Sequence, residues 1–202
     1  MEHQHYALEK ELTSEESLEL IARMIKKAKK DYLDTGLSAL LWGAVTTFCS
    51  LVTFINHWLN WAPLEYVWFL MIVAVVPQIL IAIQESKERK LKAYDDDLMG
   101  GIWISFGIGI FLFSYIISRY QLPQQAALYL TAYGFPTFAT GYAQRWRPMI
   151  IGGLACWVFA ILSTFTPFPY TMLYMAAAGQ LAWFIPGLML RSTYLKAKRQ
   201  HV

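Results

Sequence analysis

The chain has 202 residues, of which 56% are hydrophobic and 15% charged, with a formal net charge of +3 and two cysteines. The charges are crowded into short stretches, so runs such as Leu37 to Leu59 and Met99 to Ser118 carry no Asp, Glu, Lys or Arg. A helix that is apolar all round belongs in hydrocarbon, and this excludes an ordinary soluble helical domain, whose helices keep a polar face.

Residues 1–36 form a polar cytoplasmic segment, with no cleavable signal peptide expected before the first apolar run. Thr13 to Glu16 matches a capping box, and Leu18, Ile21, Ile25, Ala28 and Tyr32 recur at helical spacing. This predicts an amphipathic helix with one narrow apolar stripe. Glu15, Glu16 and Glu19 near its start and Lys26, Lys27, Lys29 and Lys30 near its end suit the helix dipole, and Gly36 is its expected stop. Its basic end, at Lys26, Lys27 and Lys30, would meet either a partner protein or anionic lipid, the latter at about 1 kcal/mol per residue.

The expected fold class is all-α, a polytopic membrane protein. Apolar runs of about 20 residues, enough to cross a bilayer core, recur at Leu37 to Leu59, Leu64 to Gln84, Met99 to Ser118, Gln124 to Ala143, Pro148 to Phe165 and Tyr170 to Leu190. These six spans, read as three hairpins, make residues 37–190 a transmembrane domain followed by a basic cytoplasmic tail at 191–202. Asn60 to Pro63, Arg119 to Pro123 and Thr166 to Pro169 read as tight turns. Lys87, Arg89, Lys90, Lys92, Arg145, Arg147, Arg191, Lys196, Lys198 and Arg199 fall on one side of this arrangement, together with the N-terminal lysines. Lys and Arg are retained on the cytoplasmic side, so both termini are expected in the cytoplasm. Trp58, Trp61, Tyr66, Trp68, Tyr115, Tyr120, Tyr170 and Tyr174 form an aromatic belt at the other boundary.

Pro77, Pro136 and Pro186 each lie in the second helix of a pair and are candidate kinks. Ionisable groups are nearly absent from the spans: Glu65, Arg119 and His57 all sit near their outer ends. A central charge costs roughly 2.5 to 3.5 kcal/mol and usually serves a proton relay or ion site. Its absence argues against proton-coupled transport and intramembrane catalysis. The remaining intramembrane polar groups are neutral, and Gln78, Gln180, Thr137 and Asn56 are candidates either to line a cavity or to bond neighbouring helices. Asp95, Asp96 and Asp97 read as an acidic helix start in preference to a metal site, and His3 and His5 lack further ligands. Cys49 and Cys156 are expected to be reduced packing residues. Arg145, Trp146 and Arg147, before Pro148, are candidates for lipid-headgroup contact or interfacial anchoring.

The segment Glu16-Ser17-Leu18 to Met24-Ile25, then Leu41-Trp42-Gly43, Tyr133-Gly134 to Pro136-Thr137, Pro148 to Gly153 and Ile185-Pro186-Gly187 carries a resemblance over nearly the whole chain. In that order they resemble an uncharacterised family of small bacterial inner-membrane proteins with six transmembrane helices. The resemblance implies that topology and location, with no catalytic residue and no cofactor. Such families are often encoded beside a winged-helix transcriptional regulator, which would suggest a signalling role.

Two functions therefore compete. The first is a non-enzymatic sensing, regulatory or scaffolding protein acting through its cytoplasmic helix, with the lipid bilayer, a protein at that helix and further copies of the chain as candidate partners, and no nucleic acid. The second is a small transporter or pore-forming protomer for a neutral or lipid-like solute, working near the three prolines.

Overall fold

Backbone N–H and C=O groups placed in hydrocarbon must find partners within the chain, and a helix supplies them segment by segment. The computed structural model describes Glu19 and residues 35–88 and 94–199, and all regular structure among the described residues is helical. The chain divides into two compact units, Met1–Leu33 and Asp34–Val202. Of the first, only Glu19 is described, helical and exposed, so the expected amphipathic stripe and Lys26, Lys27 and Lys30 lie outside the described residues.

The second unit contains α1 (Leu37–Leu59), a 3₁₀ helix (Ala62–Phe69), α2 (Leu70–Glu88), α3 (Tyr94–Tyr120), α4 (Gln125–Ala143) and α5 (Arg147–Thr164). Its last limb is α6 (Thr171–Gly179), a π turn (Gln180–Phe184) and α7 (Ile185–Arg199). Among the described residues, five stretches are long and apolar enough to cross a membrane: Leu37–Leu59, Ala62–Lys87, Met99–Tyr120, Arg147–Thr164 and Thr171–Arg199. The exception is α4, which carries Tyr129, Thr131, Tyr133, Thr137, Thr140 and Tyr142. Its place explains its composition. Leu130, Tyr133, Thr137 and Thr140 are buried against neighbouring helices, and a helix surrounded by protein need not be apolar.

The α6–α7 limb lies between α1 and α5, α4 packs chiefly on α5, α2 leans on α1 and α3 leans on α4. The two leaning helices turn large apolar side chains outward, Ile72 and Val76 on α2 and Ile104 and Phe111 on α3 among them. An apolar surface of that extent on a water-soluble monomer would be an interaction site or an aggregation hazard. In hydrocarbon it costs nothing.

Element boundaries depart from the sequence expectation in two places. Where a tight turn and an α-helix from Leu64 are expected, Ala62–Phe69 is 3₁₀ helix, with Pro63 near its start. This run is long for the type. It is held by α1, because the Trp68 indole donates to Thr53 Oγ1 at 2.9 Å and the Cys49 thiol to the Val67 carbonyl at 3.4 Å. At the other end, the tail expected from Arg191 onward is helical through Arg199. Asp95, Asp96 and Asp97 fall in the first turn of α3, as expected of acidic residues near a helix N-terminus.

The turn between α4 and α5 closes the helix without glycine. Arg145 takes the left-handed conformation at φ 52°, Trp146 N–H donates to the Gly141 carbonyl at 2.8 Å, and Arg145 N–H to the Tyr142 carbonyl at 3.1 Å. This pair of bonds is a Schellman motif, which satisfies the last carbonyls of α4. At the end of α1, Asn60 plays the same part at φ 49°, its N–H donating to the Asn56 carbonyl at 2.8 Å.

Glycines set the helix spacing. A Cβ at Gly43 would lie 2.5 Å from Phe184 N, and one at Gly152 would lie 2.6 Å from Ala182 Cα, so α1 and α5 touch the π turn backbone to backbone. By contrast Gly100, Gly101, Gly107 and Gly109 on α3 have nothing within 4 Å. Gly43→Ala is therefore expected to lower thermal stability by about 1–3 kcal/mol through overpacking. Gly107→Ala should leave it unchanged or raise it by up to about 1 kcal/mol through helix propensity. Melting of the purified variants in detergent checks the contrast.

Candidate functional site

The neutral polar residues inside the helices bond to one another. Gln78, directly after Pro77 on α2, accepts from the Trp42 indole at 3.0 Å and donates from Nε2 to Ser38 Oγ at 3.0 Å. Gln180 opens the π turn and donates to Thr47 Oγ1 at 2.9 Å, and the Thr47 hydroxyl donates onward to the Ala176 carbonyl at 3.4 Å. Thr137, after Pro136, accepts from the Trp183 indole at 2.9 Å and donates to the Tyr133 carbonyl at 2.8 Å. Asn56 sits at the end of α1, where its Oδ1 accepts from Trp61 N–H at 3.0 Å. These residues thus occupy separate pairings and do not converge on one cavity.

The three prolines lie within helices, and Pro186 has the clearest local effect. It has no N–H to offer the Ala182 carbonyl, and its ring crowds that carbonyl. The backbone answers with a widened turn just upstream, in which Ile185 N–H reaches the Gln180 carbonyl five residues back. The widened turn presents Trp183 to α4. There it joins an aromatic cluster, with Tyr133 at 5.0 Å and Trp103 at 6.4 Å between ring centroids. The Trp103 indole donates to Thr140 Oγ1 at 3.1 Å, tying α3 to α4. Sequence alone singles out Thr137 and neither tryptophan, whose indoles supply the donors.

One hydroxyl stands apart. Thr46 on α1 is fully buried, and its Oγ1 has no hydrogen-bond partner among the described residues. Cys49 and Cys156 are buried free thiols.

At one end of the bundle a cleft of about 140 Å³ opens where α1 begins and α2 and α7 end. Thr35, Leu37, Ile81, Gln84, Glu85, Arg191, Tyr194, Leu195 and Lys198 line it. Two helical stripes face each other across it: Ile81, Gln84 and Glu85 on α2, and Arg191, Tyr194, Leu195 and Lys198 on α7. Each follows the spacing of residues that share one helix face. Both stripes exist because α2 and α7 continue past their apolar spans.

Gly36 shapes the entry to α1. It is left-handed at φ 71°, and a Cβ there would lie 2.5 Å from the Gly187 carbonyl oxygen, so the chain can reach α7 this closely only with glycine. Thr35 is thereby fixed against α2, where its hydroxyl donates to Glu85. The Arg191 guanidinium lies 5.4 Å over the Tyr194 ring, an arrangement that orients the cation while leaving its N–H edge available. The charged lining is two cations and one carboxylate, next to a hydroxyl, an amide and a phenol. Such a set binds by charge and hydrogen bonding.

Other sequence candidates lie elsewhere. Arg145 and Arg147 are exposed and Trp146 half-buried in the α4–α5 turn. His57 stacks edge-on between Trp58 and Phe168 at 5.1 and 5.4 Å. Of the cleft, sequence alone places Arg191 and Lys198 among the cytoplasmic charges and singles out neither Thr35 nor Glu85. The spacing of Arg191, Tyr194, Leu195 and Lys198 was the available signal, legible once α7 is continued beyond Leu190.

No family model, curated protein or solved structure matches this chain.

Two substitutions test the interior. Trp183→Phe removes the donor to Thr137 and should cost about 1 kcal/mol of stability. Thr46→Val removes a buried hydroxyl that lacks a partner and should stabilise by a similar amount. Opposite shifts in melting temperature are expected, and a drop for Thr46→Val would show that the hydroxyl is satisfied in the folded protein.

Proposed function

We propose that this chain crosses the bacterial cytoplasmic membrane six times, as three hairpins with both termini in the cytoplasm, and works there as a non-enzymatic sensing, regulatory or scaffolding protein. The sixth crossing is α4. Its 19 residues would reach about 28 Å at 1.5 Å per residue, close to the hydrocarbon thickness, and its Tyr133, Thr137 and Thr140 are buried against protein. Consecutive helices pack on each other within each expected hairpin. The resemblance to small bacterial six-span proteins and the one-sided distribution of Lys and Arg support the membrane and the orientation.

The observation that carries the regulatory reading is the mutual pairing of Gln78, Gln180 and Thr137 with Trp42, Ser38, Thr47 and Trp183. A permeating solute would have to compete with these bonds, and no central charge is present to couple its movement to an ion. The π turn beside Pro186 favours the transport reading, because interrupted helices recur at transporter binding sites. Reconstitution separates the two. Proteoliposomes carrying the chain should pass neutral solutes no faster than empty vesicles, and solute flux that falls with Gln180→Leu would overturn the regulatory reading. For topology, single cysteines at Asn60 and Gln124 should label from outside intact cells and one at Arg145 only after permeabilisation.

A further inference from the structure

We infer that the cleft between the ends of α2 and α7 binds a phosphate ester, supplied by the headgroup of an anionic lipid in the adjoining leaflet. Its size sets the ligand class. At about 140 Å³ it is smaller than pockets for whole drug-sized ligands, which run to about 300–1,000 Å³. A phosphate with part of its ester suits that volume.

Charge sets the sign. Among the described lining residues Arg191 and Lys198 outnumber Glu85, and Glu85 accepts the Thr35 hydroxyl. Guanidinium N–H groups match phosphate oxygens in paired geometry, and stacking on Tyr194 holds the Arg191 group in place for that contact. The start of α1, where the Leu37 N–H donates to Thr35 Oγ1 at 3.3 Å, adds a positive dipole end at the same wall.

Position sets the source. Leu37 and Ile81 belong to the apolar runs of α1 and α2, while Arg191 and Lys198 lie beyond the apolar part of the last limb. The cleft therefore straddles an apolar and a polar zone, as a lipid does where its glycerol joins its phosphate.

This inference rests on the membrane reading, and alkali-resistant recovery of the full chain in membranes tests that reading separately. The protein purified in neutral detergent is titrated with short-chain phosphatidylglycerol, phosphatidylcholine and soluble glycerol 3-phosphate, with bound lipid followed by native mass spectrometry and ligand-induced change in melting temperature. Phosphatidylglycerol is expected to bind at least about tenfold tighter than phosphatidylcholine, and Arg191→Gln and Lys198→Gln should each lose about tenfold. Glu85→Gln should bind more tightly, since it removes a negative charge from the described lining, and Arg119→Gln should bind as the parent does. Glycerol 3-phosphate binding with the same dependence on Arg191 and no preference among lipids would overturn the lipid source and keep the phosphate site. Equal binding of both lipids with no response to glycerol 3-phosphate, or equal losses with Arg119→Gln, would overturn the site in a protein shown to be inserted and folded.

Discussion

The π turn Gln180–Phe184 is held between Gly43 on α1 and Gly152 on α5, at distances that leave no room for a Cβ on either side. Much else depends on that close approach. In hydrocarbon the hydrophobic effect does not draw helices together, so association relies on backbone proximity, van der Waals contact and hydrogen bonds between side chains. The glycines supply the proximity. Once the backbones meet, Gln180 reaches Thr47 and Trp183 reaches Thr137, and the last limb is bonded to helices on either side.

The same constraint divides the molecule. Helices in the inner bundle carry the small and polar residues, because they face protein and can satisfy those groups there. The outer helices α2 and α3 are tied inward by a few indole and amide bonds, Trp42 to Gln78 and Trp103 to Thr140. Their remaining surface is large, branched and apolar. An indole suits this use, since its ring is compatible with lipid and its single donor can be directed to an acceptor inside.

Among the described residues, a polar cleft with room for a ligand lies where helices outrun the apolar zone. In the interior, the described polar groups are committed to each other, Thr46 excepted. At the end of the bundle, α2 and α7 extend past their apolar runs and carry charge into a shared cleft. The cleft's place at the helix ends follows from an energetic division: an interior must satisfy its own polar groups, and helix ends need not.

The amino-acid sequence by itself determined the helical class, the apolar stretches and the distribution of charge, because each depends on the free energy of transferring short segments between water and hydrocarbon. The positions of Pro77, Pro136 and Pro186 within helices and the turn at Arg145 were equally local, readable from backbone chemistry. Tertiary structure alone decided which partner each polar residue took, since Gln78 with Trp42 and Gln180 with Thr47 join residues 36 and 133 positions apart. It also decided that α4, the least apolar helix of spanning length, buries Tyr133, Thr137 and Thr140 against its neighbours, and that Thr35, Glu85, Arg191 and Lys198 share a cleft. Those outcomes depend on how closely helix backbones can approach. That distance is fixed by which glycine faces which neighbour, and linear spacing does not encode the facing.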